Sequence, residues 1–579
     1  LVLLCLRRGS NQWSVVSGII LALAFTAGHP QTFLHISYVA AAYYFFLQWQ
    51  RGWAWRRVLG QGVVIGGVAL GASAVMWLPA LQFVPLTVRA EAGYDFVSTG
   101  QTAVNYLQAW FPSALTFWTP EYIGLTAIFL AVFALVGRTK LTTPEDPLRQ
   151  EILFWALLVL VAAWLSLGDK GILWEAWYYV APGFQLFRQQ ERLVGVVSFG
   201  LALLAGLGMA LWWRPSKHTA DERRILLKHT ALITAVPLLF LPIFLLVAEH
   251  IVPRPWVGRY LLQLLWFALT LLLLWPWKRA GKKPFAIPLL LLALLTVDLW
   301  LGTAVSVNRT PEPPSAIWPQ PEWLTLLQNE PERGRVDPGF LYFVNFGEAF
   351  DMQSVRGISP LKPQLLDDFE RNLPLSRLWP LLNVTHGLFE GGLPSDLVGT
   401  PLAEATESVI PGEVREAVLY RYDAPQPKAW LSTNPVVVPD RAAALAALGS
   451  PEVDVRQQVV VTEDTAVNYA VQPSDQPLPL PTVTQIHPGR LSIEVTTAVD
   501  AYLVISEWAL PGWHATLNGQ DTPLLTLNYG LQGLFVPAGT HEVVLWFRPW
   551  RVVVGGLVTG LTLLLVGGWL FWQKFFQKR

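Results

Sequence analysis

Charged residues are scarce in this sequence. Only 14% of the 579 residues are Asp, Glu, Lys or Arg, where a soluble globular chain carries about 25%, and 53% are hydrophobic. The formal net charge is +0, so the chain has no broad basic field for binding nucleic acid. These shortages exclude an ordinary soluble domain and predict an integral membrane protein.

Cysteine is nearly absent, and nucleotide-binding motifs are not found. Cys5 is the single cysteine, so no disulfide can form within the chain, and any exported part must be stable without one. The sequence also contains no phosphate-binding Walker loop and no dinucleotide fingerprint. ATP is therefore not expected to supply energy within this chain.

Long apolar runs are what the chain has instead. Runs of roughly 16 to 23 residues can cross a hydrocarbon core of about 30 Å as helices. Trp, with 28 copies, often flanks them, as interfacial anchors do. Leu1 to Leu6 is too short to cross, and we interpret it as the end of a helix that begins before this sequence. The predicted spans lie near 13–28, 32–47, 58–81, 121–137, 151–167, 193–213, 230–248, 260–275, 285–301 and 552–572.

The connections between these spans differ in charge. Basic residues fall on alternate connections, about twenty on one side against about six on the other, and the richer side is normally cytoplasmic. The alternation supports the assignment of spans, because one missed span would move all later clusters to the wrong side. The connections predicted to face outward are the turn at His29, loops 82–120, 168–192 and 249–259, and the long segment 302–551.

Segment 302–551 has a different pattern from the rest of the chain. Its apolar residues form short pieces separated by proline-rich linkers, and after about residue 482 they alternate with period two, as in strands. Asn518-Gly519 is typical of a hairpin turn. The chain is therefore divided into a helical membrane domain over 1–301, with about nine full spans plus the truncated one, an extracytoplasmic α/β region over 302–481, an extracytoplasmic β-sandwich over 482–551, and a last transmembrane helix with a basic tail over 552–579.

The turn between the first two full spans carries more polar chemistry than a turn needs. Gly28 and Pro30 permit the reversal, but His29 and Gln31 add an imidazole and an amide at a membrane surface. These two side chains are candidate substrate-binding groups. The alternative is a helix corner at which the His ring caps backbone carbonyls.

The loop over 82–120 and the start of the following span gather carboxylates and aromatic rings. A carboxylate beside an apolar wall can act as a general base, and aromatic faces suit sugar rings. The alternative is a solvated loop with aromatic residues at the membrane interface. The candidate bases are Glu91, Asp95 and Glu121, and the candidate substrate-binding residues are Tyr94, Trp118 and Tyr122.

Two arginines lie in the loop before the sixth span. Arg188 and Arg192 sit near a helix N-terminus and form a candidate phosphate clamp, with Glu191 between them. The alternative is that both merely pair with Glu191 and lipid headgroups. Asp298 is a further candidate, because an acid inside an apolar span is often functional, although it lies near enough to the boundary to reach water.

These groups together favour one class of substrate. A polyprenyl-phosphate sugar has a lipid tail for the bilayer, a phosphate for the arginines and a sugar for the aromatic rings. A donor of this kind needs no nucleotide on the outer side of the membrane.

Several segments together resemble the YfhO-type bacterial membrane proteins of the GT-C class of glycosyltransferases. The resemblance covers nearly the whole chain, and it departs from the family pattern at Thr385-His386, where relatives carry a Lys-Tyr type pair. It rests on Gly28-His29-Pro30-Gln31, Phe187-Arg188, Glu191-Arg192, Val355 to Leu361, Leu382-Asn383-Val384, Ser506 to Trp513, and Val536 to His541.

The resemblance implies a GT-C-like helical fold in the bacterial cytoplasmic membrane. It also implies transfer of a sugar from a polyprenyl-phosphate donor to a cell-envelope polymer or lipid on the outer face, with inversion at the anomeric carbon. The family's catalytic acid follows the first span, which this sequence does not include, so no residue here inherits that role. A metal is optional in this chemistry, because the arginines supply positive charge. The β-sandwich resembles a sugar-binding module, for which Trp508, Trp513, His514 and Trp546 are candidates, although strand aromatics are more often core.

Two other functions stay open. A transporter or flippase for lipid-linked glycans would need polar residues through the middle of several spans, and these are rare here. A non-catalytic scaffold that holds envelope polymer would need neither a base nor a route for a donor.

Overall fold

The computed structural model describes most of the chain, in two compact units. One unit is Leu1–Leu70 with Ala92–Ile317, and the other is Gly71–Glu91 with Trp318–Arg579. The four-part division given by the sequence stays a prediction. The residues described are 1–90, 92–112, 121–214, 220–247, 256–275, 286–303, 322–330, 333–339, 347, 350–357, 359, 361–410, 413–474 and 478–576.

Helices dominate the chain up to residue 303. The apolar runs predicted to span are all helical, and the run over 58–81 is broken at Ser73 into two helices. The helices are α1 (Val2–Arg8), α2 (Asn11–Thr26), α3 (Pro30–Gln50), α4 (Trp55–Ala72), α5 (Ala74–Phe83), α6 (Tyr94–Val97), α7 (Leu125–Gly137), α8 (Pro147–Leu165), α9 (Ile172–Val180), α10 (Val194–Trp213), α11 (Ala220–Val247), α12 (Trp256–Leu274) and α13 (Ala286–Thr303).

Several of these helices are long and apolar enough to cross a membrane. Within the described residues five pass on length and hydropathy, and the broken pair α4 and α5 gives a sixth if it is counted as one span. Shorter apolar helices are α2, α7 and most of α13. The count of ten crossings and the orientation stay predictions. The five are Pro147–Leu165, Gln190–Trp213, Asp221–Ile243, Val257–Leu274 and Trp550–Gln573.

Helix α7 lies in the centre of the first unit and packs closely against α10. A Cβ atom at Gly208 would lie 2.0 Å from the carbonyl oxygen of Leu130, so glycine is needed for the two backbones to approach. Phe129, Phe133 and Leu204 are buried in the core that these helices share with α8. This packing holds the loops at the ends of α8 and α10 in place.

The second unit is rich in β-structure. Its strands are β1 (Arg335–Asp337), β2 (Val384–Phe389), β3 (Gly399–Ile410), β4 (Glu413–Tyr422), β5 (Ala429–Ser432), β6 (Asn434–Val438), β7 (Gln458–Thr462), β8 (Thr482–His487), β9 (Arg490–Thr497), β10 (Ala501–Trp508), β11 (Trp513–Leu517), β12 (Gln520–Thr522), β13 (Leu525–Leu527), β14 (Leu531–Val536) and β15 (Gly539–Phe547). They form sheets in the orders β1-β2-β4-β3, β13-β14-β10-β5, β12-β11-β15-β9-β8 and β6-β7.

Two of these sheets form the sandwich that the period-two pattern predicts. Leu503 and Leu534 of one sheet share a buried core with Ile493 and Val543 of the other. Asn518 and Gly519 turn the β11–β12 hairpin, and their φ angles of 52° and 79° are those of the predicted tight turn. The first sheet also takes β5 from before residue 482, because Ala429–Ser432 pairs antiparallel with β10.

The second unit also contains helices. Two of them lie within 361–382, and the alanine-rich run that begins at Arg441 forms another. The helices are α14 (Glu322–Gln328), α15 (Gln364–Asn372), α16 (Leu375–Leu381), α17 (Arg441–Gly449), α18 (Glu463–Asn468) and α19 (Trp550–Phe576).

Candidate functional site

His29 begins helix α3 and is tied to its first turn. Its Nδ1 accepts a hydrogen bond from the backbone N–H of Thr32 at 3.1 Å and lies 2.8 Å from the Thr32 hydroxyl. The ring thus caps free N–H groups at a helix start, with Pro30 next in the chain. The alternative reading, in which the His ring caps carbonyls, does not describe this turn.

Arg192 meets this turn from the other side. Its Nη1 donates to Gln31 Oε1 at 3.0 Å and lies 3.0 Å from His29 Nε2, and its Nη2 donates to Gln189 Oε1. The structure therefore joins the two sequence candidates His29 and Gln31 to one of the two arginines. We call His29, Gln31, Arg188 and Arg192 the cationic cluster.

The contact between His29 and Arg192 takes one of two forms, set by the tautomer of the ring. With the proton on Nδ1, which lies 2.8 Å from the Thr32 hydroxyl, Nε2 accepts from Arg192 Nη1. With the proton on Nε2, which leaves Nδ1 to accept from the Thr32 backbone N–H, both groups are donors, and an anionic oxygen beside them would satisfy both.

Glutamines hold the loop that carries both arginines. Gln31 Nε2 donates to the backbone carbonyls of Arg188 at 2.8 Å and of Gln189 at 3.3 Å. Gln189 has a φ angle of 63°, in the left-handed region. The buried Gln190 donates to the carbonyls of Val97 and Phe187. Sequence reasoning missed Gln189 and Gln190, because glutamine in a loop normally faces solvent.

Arg188, like Arg192, is exposed. Its guanidinium lies 5.4 Å from the centre of the Phe96 ring, a cation–π contact. Among the residues that the structure describes, no side chain forms an ion pair with Arg188, Glu191 or Arg192. Pairing of the arginines with Glu191 therefore does not explain their position.

Short helix α6 carries Asp95 and Phe96. Asp95 is exposed and directly precedes Phe96, whose ring lies against Arg188. The neighbouring Tyr94 ring stacks edge-on against Tyr178 at 5.1 Å. Burial is the main cause that raises the pKa of the Tyr94 hydroxyl, and the carboxylates Glu175, Asp169 and Asp95 raise it further. Sequence reasoning did not single out Asp169 or Glu175.

Glu121 lies in a more enclosed place. Its side chain is 4% exposed, and Oε2 has no hydrogen-bond partner among the described residues. The Tyr106 hydroxyl, which lies 2.7 Å from Ser166 Oγ, is close enough to feel its charge. Glu121 is thus a buried candidate base, whereas Asp95 is an exposed one.

Asp298 forms its hydrogen bonds within the protein interior. It is fully buried, its Oδ2 accepts from the Leu125 backbone N–H at 2.9 Å, and its Oδ1 accepts from the Tyr122 hydroxyl. The Tyr122 hydroxyl oxygen also lies 3.0 Å from Gln263 Oε1. These contacts favour a structural role for both Asp298 and Tyr122, since Asp298 caps the start of α7.

This role predicts a stability effect. Asp298→Ala should lower the free energy of unfolding by about 1–3 kcal/mol, because the buried Leu125 N–H loses its acceptor. Thermal unfolding in detergent micelles measures this change. The exposed neighbour Thr296 offers the control, since T296A should move stability by less than about 0.5 kcal/mol. Equal behaviour of the two variants would contradict the capping role.

An apolar groove lies next to the cationic cluster in the first unit. It has a volume of about 270 Å³, and Phe184 and Leu193 in its wall bracket the loop that carries both arginines. His35, one turn after Gln31 on α3, also lines it. The other lining residues are Tyr38, Val39, Ala42, Phe154, Leu157, Leu158, Val161, Ala162, Leu165, Trp177 and Val196.

The remaining candidates are placed as follows. Glu91 and Trp118 lie outside the described residues. In the sandwich, Trp508 packs edge-on against Phe369 at 5.3 Å, which is a core contact, whereas His514 stacks on Trp546 at 5.6 Å. No group of three His, Cys, Asp or Glu side chains suited to a metal occurs within the ranges that the structure describes.

No protein-family model, curated protein or solved structure matches this chain. The functional conclusion therefore rests on the geometry of the cationic cluster and the groove.

Proposed function

We propose that this protein is a membrane glycosyltransferase of the GT-C type that uses a polyprenyl-phosphate sugar as its donor. One observation carries the proposal: the cationic cluster lies beside the apolar groove, and the loop with both arginines belongs to both. A lipid phosphate has the matching chemistry, with a charged head and a long hydrocarbon tail.

The phosphate would bind beside the contact between Arg192 and His29. Arg192 Nη1 lies 3.0 Å from His29 Nε2, and the guanidinium of Arg188, on the same loop, adds a second positive charge. Gln31 and Gln189 hold Arg192, so its direction is set before the donor arrives. Preorganised donors of this kind stabilise the negative charge that builds on a departing phosphate.

The reaction is a direct displacement at the anomeric carbon. The acceptor hydroxyl oxygen forms a bond to this carbon while the bond from the carbon to the phosphate oxygen breaks, and polyprenyl phosphate leaves with the electron pair. A carboxylate takes the hydroxyl proton, and Asp95 is our choice because it is an exposed carboxylate next in sequence to Phe96, whose ring contacts Arg188. The sugar would be passed to a cell-envelope polymer or lipid on the outer face of the cytoplasmic membrane.

The groove offers a direct test. Ala42→Trp should weaken binding of undecaprenyl phosphate at least about tenfold, because the new side chain occupies space that the tail needs. Ala41 is the matched control, since it is exposed on the same helix and A41W leaves the groove free. Native mass spectrometry of the protein in detergent micelles measures the bound lipid. Equal binding by both variants would contradict a tail in this groove.

A further inference from the structure

The second unit contains a polar cavity that takes no part in the proposed transfer. Its volume is about 410 Å³, within the range of sites for small molecules. Leu327, Val336, Met352 and Val483 supply apolar wall, and Gly334 contributes backbone. The polar lining residues are Arg333, Asp351, Gln353, Asn383, Lys428 and Gln485.

Lys428 is the buried cation of this cavity. Its side chain is only 14% exposed, and its ammonium group donates to Glu507 Oε1. Arg335 donates to the same oxygen at 3.0 Å. One carboxylate thus serves two cations, and burying a cation without its own counter-ion is costly.

Arg335 is too well held to move away from this pair. Its Nη1 donates to Ser506 Oγ at 2.9 Å and to the Leu382 carbonyl at 3.0 Å, and its Nη2 donates to the Ser506 carbonyl at 2.9 Å. Glu507 follows Ser506 in β10, and the bond from Arg335 holds its carboxylate in place. Lys428 is therefore the member of the trio with unused donors, and it lines the cavity.

The charge count around the cavity favours a ligand with a single negative charge. Three cations, Arg333, Arg335 and Lys428, stand against two carboxylates, Asp351 and Glu507, which leaves one net positive charge. A monoanion would balance it, whereas a polyphosphate would exceed it and meet the Asp351 carboxylate.

Amide groups make up much of the remaining polar wall. Gln353 Nε2 donates to Gln485 Oε1 at 2.9 Å, and Asn383 Nδ2 donates to the Gln426 carbonyl at 2.7 Å. Each side chain keeps further donor or acceptor capacity. Amides can donate to and accept from hydroxyl groups, and the Asp351 carboxylate can accept from them, so this wall is suited to a sugar.

We propose that this cavity binds a carboxylate-bearing sugar of the uronate type, with its carboxylate at Lys428 and its hydroxyls at Gln353, Gln485 and Asp351. The site lies wholly within the second unit and is independent of the transfer reaction, so its failure would leave that proposal untouched.

Titration calorimetry of the full chain in detergent micelles, with D-glucuronate and D-glucose as probes, tests this site. Glucuronate should bind at least tenfold more tightly than glucose at pH 7. Lys428→Gln should remove most of this preference, whereas Arg371→Gln, which removes an exposed charge elsewhere in the unit, should leave it unchanged. Equal binding of both sugars, or tighter binding of glucose 1-phosphate than of glucuronate, would overturn the assignment.

A second variant keeps the test open if Lys428→Gln does not fold. Gln485 is exposed on β8, so Gln485→Ala should fold normally and weaken both sugars at least threefold. Thr484→Ala, at the next exposed position of the same strand, is its control and should change neither affinity. Identical affinities for these two variants would contradict the site.

The pH dependence supplies an independent readout. Burial is the main cause that lowers the pKa of Lys428 to about 8, and Arg335 lowers it further while Glu507 opposes the shift. Arg333 and Asp351 are the other charged groups at the cavity. Glucuronate affinity should fall as pH rises through about 8, because the ammonium loses its proton, and Lys428→Arg should remove this fall. Constant affinity across this pH range in the unsubstituted protein would overturn the role of Lys428.

Discussion

Replacing Arg192 with alanine should lower sugar transfer from a polyprenyl-phosphate donor about 100- to 1,000-fold, the usual effect of removing one preorganised donor from a developing negative charge. The reason is the position of its guanidinium, which Gln31 and Gln189 hold against His29. Transfer of radiolabelled sugar by the full-length protein in proteoliposomes measures the loss.

Two comparisons make this expectation specific. Arg188→Ala should reduce transfer as well, though less, because its guanidinium contacts the Phe96 ring and no described side chain hydrogen-bonds to it, whereas Gln31 and Gln189 both hold Arg192. Arg57→Ala, which removes an exposed charge at the start of α4, should leave transfer unchanged. Full activity in both R188A and R192A would remove the phosphate clamp.

Asp95→Asn should reduce the rate of transfer about 100- to 10,000-fold while donor binding persists, as expected for loss of a general base. The amide keeps the shape of the carboxylate but cannot take the proton of the acceptor hydroxyl. Single-turnover kinetics should show the loss in the chemical step, and native mass spectrometry should show the donor still bound.

Glu121→Gln distinguishes the two described carboxylates. Glu121 is buried beside Tyr106, so its substitution should change stability more than transfer. A large loss in E121Q with normal activity in D95N would move the base to Glu121. Normal activity in both would place the base at another residue, whereas bound lipid without any transfer by the unsubstituted protein would favour a transporter or flippase for lipid-linked glycans.

Much of the fold follows from local patterns in the sequence. Helices form where apolar runs are long enough to cross a bilayer, and strands form where apolar residues alternate. The turn at Asn518-Gly519 forms because asparagine and glycine tolerate positive φ angles. What the patterns do not reveal is the strand Ala429–Ser432 in the sandwich, because its partner β10 lies far along the chain.

The sequence pointed to individual residues of the candidate site, but not to the contacts between them. His29, Gln31 and Arg192 stand out because a turn and a loop rarely need them, yet the contact between His29 and Arg192 joins residues 163 positions apart. Only packing of the helices brings them together. Asp298 shows the converse. Its sequence position fits a functional acid or an acid that reaches water, and its bonds to Leu125 and Tyr122 instead favour capping.

The role of Lys428 could not be predicted from the sequence, for a different reason. It lies in a mixed segment without a motif, and its meaning depends on Arg335 of β1 and Glu507 of β10, which converge only in the folded sheets. No spacing along the chain points to such a trio.

An electron cryomicroscopy structure of the full-length protein with undecaprenyl phosphate bound tests the central claim most directly. We expect the phosphate within hydrogen-bonding distance of His29 Nε2 and Arg192 Nη1, and the tail in the groove lined by His35, Phe184 and Leu193. Density for the phosphate elsewhere, with the His29–Arg192 contact empty and the groove filled by bulk lipid, would contradict it.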